Sequence, residues 1–311
     1  MKVVSVINFK GGVGKTTLTA NLGAYAASQG YKVLLVDLDY QKTLTCTFMT
    51  NEDWKKKFSK TKTMKIFFEP VLNGQLPSLK PLLVRRAVAN EKLDLLCSHD
   101  DLRIIEPKLT GLLSNVDVPS LAADYMKFVS CLRRALNNID NLYDLVLLDC
   151  RPDSYFMAKC GLYASDYYIV PTKLNEADTS GIEPLRNELK SYRAKCNEYI
   201  SRLTNSSYLP MNLKMLGIVP MMTHVSSGKT LIKAEQVFRD KLEGDFYVFN
   251  QFIKEAPGLF GSKIRDKTGA IVPVVLSGSA VTPFIGFSPK AAIIRDLKAL
   301  GDEFLERVSR K

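Results

Sequence analysis

The feature that most constrains the fold is a glycine-rich turn near the start of the 311-residue chain. The turn follows a short apolar run at residues 3–7 and precedes a segment with Leu18, Leu22 and Ala26 at helical spacing. Its residues are Lys10, Gly11, Gly12, Val13, Gly14, Lys15, Thr16 and Thr17. Backbone N–H groups of such a turn converge on one concavity, and the positive end of the helix dipole points at the same place. The sequence therefore predicts a strand, an anion-binding loop and a helix.

A second apolar run at residues 32–37 completes a strand–helix–strand unit. A run that is apolar on both faces is typical of a strand buried in a parallel sheet. Similar runs occupy residues 93–96, 145–149, 167–170 and 215–219, and helical patterns separate them around residues 121–136, 182–196 and 230–242. This alternation predicts one α/β domain over residues 1–311, with a doubly wound, mainly parallel sheet flanked by helices.

Two stretches fit the alternation less well. Residues 50–92 are basic and contain proline, which predicts a partly irregular segment, and residues 244–288 are rich in Gly, Ser and Pro. Beyond them, Ser288-Pro289 opens a predicted amphipathic helix near residues 289–309. The polar face of this helix carries both signs of charge, so we expect it to pack on the core, with membrane binding as the alternative.

The composition limits the class of protein. A formal net charge of +11 favours a polyanionic partner, although excess lysine can also serve only solubility. No apolar stretch approaches the roughly 20 residues of a membrane span and no signal-peptide pattern is present, so we expect a soluble, cytoplasmic protein. The six cysteines are far apart and only two histidines occur, which points to reduced thiols and not to a zinc or iron–sulfur site.

The turn at residues 10–17 carries the chemistry of a phosphate-binding loop. It resembles G-x-x-x-x-G-K-[ST], with the first glycine shifted. Lys15 supplies a mobile positive charge for the β- and γ-phosphates, and the hydroxyl of Thr16 is placed to ligate Mg²⁺. All eight residues of the turn are therefore predicted to bind a nucleoside triphosphate.

Lys10 makes this loop distinctive. The run from Lys10 to Thr17 resembles the deviant Walker A motif K-G-G-x-G-K-T of the ParA/MinD ATPases. The resemblance implies a P-loop fold that binds ATP and Mg²⁺ and forms a homodimer on ATP binding. It also implies that Lys10 reaches the phosphates of the partner subunit and, with Lys15, acts in catalysis. A solvated loop lysine is the alternative interpretation of Lys10.

The end of the second strand resembles the next family motif, D-x-D-P-Q. The resemblance assigns Asp39 to orienting the attacking water and Asp37 to supporting the Mg²⁺. Tyr40 replaces the usual proline and Thr43 stands where asparagine is common, so the hydrolysis rate is open. Capping of the following helix is the alternative role for both aspartates.

Residues 143–149 are typical of a Walker B strand, which ends in a carboxylate at the carboxyl edge of the sheet. Asp149 is therefore predicted to hold Mg²⁺. The family usually continues D-x-P-P, whereas this chain has Arg151 in that segment. Arg151 is expected to contact nucleotide or the partner subunit, or else to form a surface ion pair. Met221 and Met222 stand where relatives contact adenine, with core packing as the alternative.

The basic charge favours a ParA-type protein, whose ATP-bound dimer binds nonspecific DNA and positions a plasmid, chromosome or other cargo. The resemblance implies slow hydrolysis, a ParB-like centromere-binding or adaptor protein that stimulates it, and nucleoid association in a prokaryote. The DNA-binding candidates are Lys254, Lys263, Arg265, Lys267, Arg295, Lys298 and Arg307. A second basic cluster lies at residues 54–65. Two alternatives stay open: a MinD-like membrane-associated positioning ATPase, and a nucleotide-gated scaffold with negligible hydrolysis.

Overall fold

A computed structural model describes residues 1–85, 92–114, 119–152, 156–203, 207–226, 230–255, 264–265, 271–272 and 291–310. The main sheet contains seven strands: β1 (Lys2–Val6), β2 (Val33–Asp37), β3 (Leu93–Leu96), β4 (Leu145–Asp149), β5 (Tyr167–Thr172), β6 (Lys214–Thr223) and β9 (Ile253–Lys254). Their order across the sheet is β3-β2-β4-β1-β5-β6-β9, and every neighbouring pair is parallel. The predicted doubly wound parallel sheet is thus confirmed.

Two short antiparallel pairs accompany the main sheet. They are β7 (Val225–Ser226) with β8 (Thr230–Leu231), and β10 (Ile264–Arg265) with β11 (Ile271–Val272). The central strands β2 and β4 are buried at every residue, which explains why their sequences are continuous apolar runs instead of alternating ones.

The helices are α1 (Lys15–Ser28), α2 (Thr43–Phe48), α3 (Asn51–Lys57), α4 (Met64–Val71), α5 (Leu102–Ser114), α6 (Pro119–Val129), α7 (Cys131–Asn137), α8 (Phe156–Ala164), α9 (Glu176–Thr179), α10 (Ile182–Ser201), α11 (Lys233–Glu243) and α12 (Ala291–Arg310). Short 3-10 turns lie at Lys80–Leu82 and Asp140–Leu142. The helical pattern around residues 121–136 corresponds to two helices, α6 and α7, which are separated at Ser130.

The basic segment at residues 50–92 is more regular than its composition predicts. Helix α3 begins after Thr50, whose side-chain oxygen accepts a hydrogen bond from the backbone N–H of Asp53. Its first turn is acidic and its last turn is basic, an arrangement that stabilises the helix dipole at both ends. The lysines therefore end a helix instead of disrupting one.

The C-terminal helix α12 packs on α1, the helix that follows the glycine-rich loop. Its buried side chains are Leu297, Leu300, Phe304 and Val308. The hydroxyl of Tyr25 in α1 donates a hydrogen bond to Asp302 across this contact. Across the described ranges, no helix combines the length and apolar character needed to cross a membrane.

Candidate nucleotide-binding site

The predicted phosphate, metal and water-orienting residues meet at one edge of the sheet. Strands β1, β2 and β4 are adjacent and parallel, and Asp149 at the end of β4 is paired in register with Val6 of β1 and Asp37 of β2. The glycine-rich loop follows β1 directly. Ligands of such sheets bind at the carboxyl ends of the strands, so the topology brings the loop and both carboxylates to the expected place.

Gly14 gives the loop its shape. Its φ of +92° lies in the left-handed region, where α1 begins, and a Cβ atom there would lie 2.8 Å from Cε of Met221. The ammonium of Lys15 lies across the loop, where it donates hydrogen bonds to the carbonyls of Asn8 at 3.0 Å and Lys10 at 2.8 Å. Lys15 thus already occupies the interior of the loop that would surround an anion.

Thr16 and Asp149 form the contact that best fits a metal site. The Thr16 hydroxyl donates to Oδ2 of Asp149 at 2.7 Å. The other carboxylate oxygen, Oδ1, is buried and accepts no hydrogen bond within the described part of the chain. Burial, followed by the charge of Asp37, raises the pKa of Asp149 well above its ordinary value. A cation at Oδ1 would relieve both effects, so these residues fit Mg²⁺.

A metal at this position needs ligands from outside the protein. Among the described residues, no group of three or more His, Cys, Asp or Glu side chains is placed to hold an ion. Mg²⁺ is usually bound by one or two carboxylates together with phosphate oxygens and water. The site is therefore suited to an ion that arrives with a phosphate ligand.

Asp37 is fully buried and organises the loop after β2. Its Oδ2 accepts hydrogen bonds from the backbone N–H and the hydroxyl of Thr45, at 2.8 and 2.7 Å, and its Oδ1 accepts from the N–H of Asp39 at 3.1 Å. Burial raises the pKa of Asp37 to about 7, although the hydrogen bonds from Thr45 lower it. Because Thr45 lies in the first turn of α2, Asp37 makes the helix-end contact that the sequence left as an alternative.

Asp39 lies half-buried in the same loop, beyond the end of β2. Its Oδ1 accepts a hydrogen bond from the N–H of Gln41 at 3.0 Å, and its carbonyl accepts from the N–H of Lys42 at 2.8 Å. The loop therefore fixes the Asp39 carboxylate through its own backbone.

The signature lysine contacts a residue that sequence analysis missed. The Lys10 ammonium lies 3.0 Å from Oδ1 of Asp178, and the Lys10 N–H donates to the side chain of Asn8 at 2.9 Å. Asp178 is buried at the start of α9, where Asn175 accepts a hydrogen bond from its N–H. Asn8 had a local signal, a polar residue between a buried strand and the loop, whereas Asp178 is remote in sequence and had none.

Two of the departures from the family motifs, Tyr40 and Arg151, contact each other. The Arg151 guanidinium lies 3.9 Å from the ring centroid of Tyr40, and its Nη1 lies 3.3 Å from Oε2 of Glu106. Arg151 is 13% exposed, so its ion pair is not the surface pair that was the alternative interpretation. Glu106 is a further residue that the sequence did not single out.

Comparison with known proteins agrees with this geometry. The family described as AAA domain (AAA_31) matches residues 1–202 of the chain. A virulence-plasmid ParA family protein of Chlamydia psittaci is 29% identical over 70% of this chain and 68% of its own length. The chain is a member of the ParA/MinD-type P-loop ATPase family.

Other relatives cover different shares of this ParA/MinD-type chain. Soj of Bacillus subtilis, a sporulation initiation inhibitor protein, is 25% identical over 82% of the chain and 87% of its own length. An uncharacterized protein of Mycobacterium tuberculosis is 31% identical over 63% of the chain, but the match spans about half of that protein, 54%. The crystal structure of cobyrinic acid a,c-diamide synthase from Mycobacterium smegmatis, with bound ADP and magnesium, is 26% identical with a TM-score of 0.62. That match covers 82% of this chain and 87% of the synthase.

Met221 and Met222, placed near adenine by family resemblance, lie at the end of β6 beside the loop. Met221 is buried and Met222 has a φ of +53°. Cε of Met222 lies 3.7 Å from the position of a Cβ atom on Gly14. Both methionines therefore pack against the phosphate loop of this ParA/MinD-type chain, and their contact with adenine stays a prediction.

The predicted DNA-binding residues fall into those that contact other side chains of the chain, those that are exposed, and those outside the described residues. Lys254 is paired with Asp296 at 3.1 Å, and the Arg307 guanidinium lies 3.3 Å from the ring centroid of Tyr247, both within the fold of this ParA/MinD-type domain. Arg295 and Lys298 are exposed on α12. Outside the described residues are Lys263, Lys267 and the side chain of Arg265.

Proposed function

We propose that this chain is an ATP-dependent positioning switch, which binds Mg-ATP, closes into a homodimer and binds nonspecific DNA. The observation that carries the proposal is the contact of Thr16 with Asp149 at the mouth of the glycine-rich loop. Within the described residues, the other carboxylate oxygen of Asp149 is buried and accepts no hydrogen bond. The ADP and magnesium bound by the related synthase support the same ligands for this chain.

Each loop residue has a role in the proposed hydrolysis. The backbone of residues 10–17 and the Lys15 ammonium bind the phosphates, while Thr16 and Asp149 hold the magnesium. Magnesium, when bound, neutralises charge on the phosphate oxygens. Asp39 orients water toward the γ-phosphate, and Lys10 leaves Asp178 to reach the phosphates of the partner subunit. Hydrolysis is slow until a ParB-like or adaptor protein stimulates it.

The formal net charge of +11 supports DNA as the second ligand, as does the similarity to the virulence-plasmid ParA family protein. With Lys254 and Arg307 engaged inside the fold, the exposed Arg295 and Lys298 are the described candidates for phosphate contacts. A MinD-like membrane role is not proposed, because the described apolar residues Leu297, Leu300, Phe304 and Val308 of α12 are buried against the protein.

A scaffold that binds ATP with negligible hydrolysis is the second candidate. The observation that favours it is the hydrogen bond between the Asp39 carboxylate and the N–H of Gln41, which engages one oxygen of the proposed water-orienting group. Phosphate release by the purified chain, with and without DNA, separates the two functions. Release in multiple turnovers supports the enzyme, and none supports the scaffold.

Calorimetry with Mg-ATP tests the site directly. Thr16→Val removes the hydroxyl that contacts Asp149 and is expected to weaken Mg-ATP binding about tenfold, on the scale of one lost buried hydrogen bond. Binding of ATP in EDTA should change much less. The matched control is Thr47→Val, which removes an exposed hydroxyl in α2. If the wild-type chain gives no heat with Mg-ATP, the proposal is rejected.

DNA retention at rising salt tests the switch. ATP is expected to raise DNA affinity over ADP, and equal affinity in both states would remove the switch. The double variant R295E/K298E should weaken binding and reduce the salt slope by about two. K55E/K56E makes the same charge change in the other basic cluster, on α3. If only K55E/K56E weakens binding, α3 and not α12 contacts DNA.

A further inference from the structure

The loop after β2 is tied to residues that follow both neighbouring strands. On one side Tyr40 contacts Arg151, which follows β4, with 3.9 Å between the guanidinium and the ring centroid. On the other side Lys42 forms an ion pair with Asp100, which follows β3, and its ammonium lies 4.1 Å from the ring centroid of Trp54. A cation–π contact therefore lies on each side of the loop. The loop supplies the ring of Tyr40 on one side and the ammonium of Lys42 on the other.

Arg151 is itself held firmly. Glu106 of α5 lies 3.3 Å away and is only 6% exposed, and its second oxygen accepts a hydrogen bond from the N–H of Met157 at 3.2 Å. The guanidinium is thus placed between a buried carboxylate and the Tyr40 ring. Because a desolvated cation interacts more strongly with a ring than an exposed one does, this contact restrains the loop more than a surface contact would.

Asp39 is close in sequence to Tyr40 and Lys42, the two loop residues that make these contacts. Its carboxylate accepts from the N–H of Gln41, and its carbonyl accepts from the N–H of Lys42. Gln41 is next to Tyr40 in the sequence, and Lys42 itself forms the ion pair with Asp100. The direction of the Asp39 carboxylate therefore depends on where Tyr40 and Lys42 are held.

We propose that Arg151 and Tyr40 are positioning residues for Asp39. Arg151 acts on Asp39 through the Tyr40 ring. It connects the loop that carries the proposed water-orienting group to the strand that ends at Asp149. The inference rests on the proposed hydrolysis, and it assigns a function to two of the residues that depart from the family motifs.

The test compares Tyr40→Leu with Tyr40→Phe. Leucine keeps the apolar contact but removes the ring, whereas phenylalanine keeps the ring and removes only the hydroxyl. Steady-state phosphate release should show kcat lowered about tenfold in Tyr40→Leu, with little change in KM for ATP and near wild-type values in Tyr40→Phe. Thermal melting of both variants verifies that they are folded.

Hydrogen exchange gives a second measurement that does not depend on activity. The amides of Gln41 and Lys42, which donate to Asp39, should exchange several-fold faster in Tyr40→Leu than in Tyr40→Phe. Equal exchange in the two folded variants, or an unchanged kcat in Tyr40→Leu, would overturn the inference. A wild-type chain that binds ATP without hydrolysing it rejects the proposed hydrolysis itself, which is a different result.

Discussion

Asp37 and Asp149 occupy paired positions at the carboxyl ends of two neighbouring parallel strands, and both carboxyls are buried. Each raises the cost of ionising the other, since their charges are alike and desolvated. Among the described residues, Asp37 accepts three hydrogen bonds that offset part of this cost, whereas the Asp149 carboxylate accepts one, from Thr16. A divalent cation at this edge of the sheet would therefore stabilise the ionised form of the two carboxylates.

Magnesium should stabilise the protein in a pH-dependent way. The pKa of Asp37 is raised to about 7 and that of Asp149 is raised as well, so protonation stabilises the metal-free fold at low pH. The contribution of Asp37 is lost as pH rises through about 7. Because magnesium binds the ionised carboxylate together with a phosphate ligand, the rise in Tm on adding MgCl2 to the chain in the presence of ADP should be larger at pH 8 than at pH 6.

Differential scanning fluorimetry measures this effect, with NaCl at equal ionic strength as the control. Asp149→Asn should remove most of the magnesium-dependent rise. The same rise at both pH values would contradict the expected proton linkage.

Gly14→Ala should damage the loop, while Gly11→Ala should not. The first substitution places a Cβ at a φ of +92° and 2.8 Å from Met221, which costs about 1–2 kcal/mol for the backbone alone. At Gly11, apart from its two chain neighbours, no described residue has an atom within 4 Å of the added Cβ. Chemical denaturation and ATP titration of the two variants make a matched comparison, and equal losses would show that the left-handed conformation is not required.

Asp178→Asn should favour the ATP-bound dimer. In the proposed switch Lys10 leaves Asp178 for the partner subunit, so a weaker contact within one chain lowers the cost of that movement. A partly exposed ion pair contributes at most about 1 kcal/mol, and because each of the two subunits releases one pair, dimerisation should be tighter by up to about 30-fold. Sedimentation equilibrium with ATP measures it, and Glu176→Gln, an exposed change in the same helix, is the control. A weaker dimer in Asp178→Asn would argue that Asp178 supports the closed state instead.

Gly301→Ala should destabilise the contact between α12 and α1, because the new Cβ would overlap the ring of Tyr25. We expect a loss of about 1–3 kcal/mol in the free energy of unfolding, typical of overpacking. Gly111→Ala in α5 places its Cβ more than 4 Å from the described residues that do not adjoin it in the helix, and should gain about 0.5–1 kcal/mol from helix propensity. Urea denaturation compares the two, and a neutral Gly301→Ala would mean that Tyr25 moves aside freely.

The sheet could be predicted from the sequence because each buried strand is a continuous local run of apolar residues. The runs at residues 145–149 and 167–170 correspond to β4 and β5 almost residue for residue. The loop at residues 10–17 was equally local, since its glycines, Lys15 and Thr16 are consecutive. The helices α3 and α4 were missed because their lysines and Pro70 resemble a loop when only composition is considered.

The long-range contacts that hold the side chains of the site could not be predicted from the sequence. Tyr40 and Arg151 are 111 positions apart, and Lys10 and Asp178 are 168 apart, so only the parallel register of the strands brings each pair together. The sequence marked Tyr40 and Arg151 as departures, but it gave no reason to connect them. Long-range pairs of this kind depend on the whole topology and not on any local pattern.

The packing of α12 on α1 also has a consequence for synthesis on the ribosome. Helix α1 leaves the ribosome before α12 and carries Tyr25 and Leu18 into an apolar layer that includes Phe304 and Leu300. A nascent chain that ends before α12 leaves that face of α1 uncovered in water. We expect such an incomplete chain to need a chaperone, even though every residue of its phosphate loop has already been made.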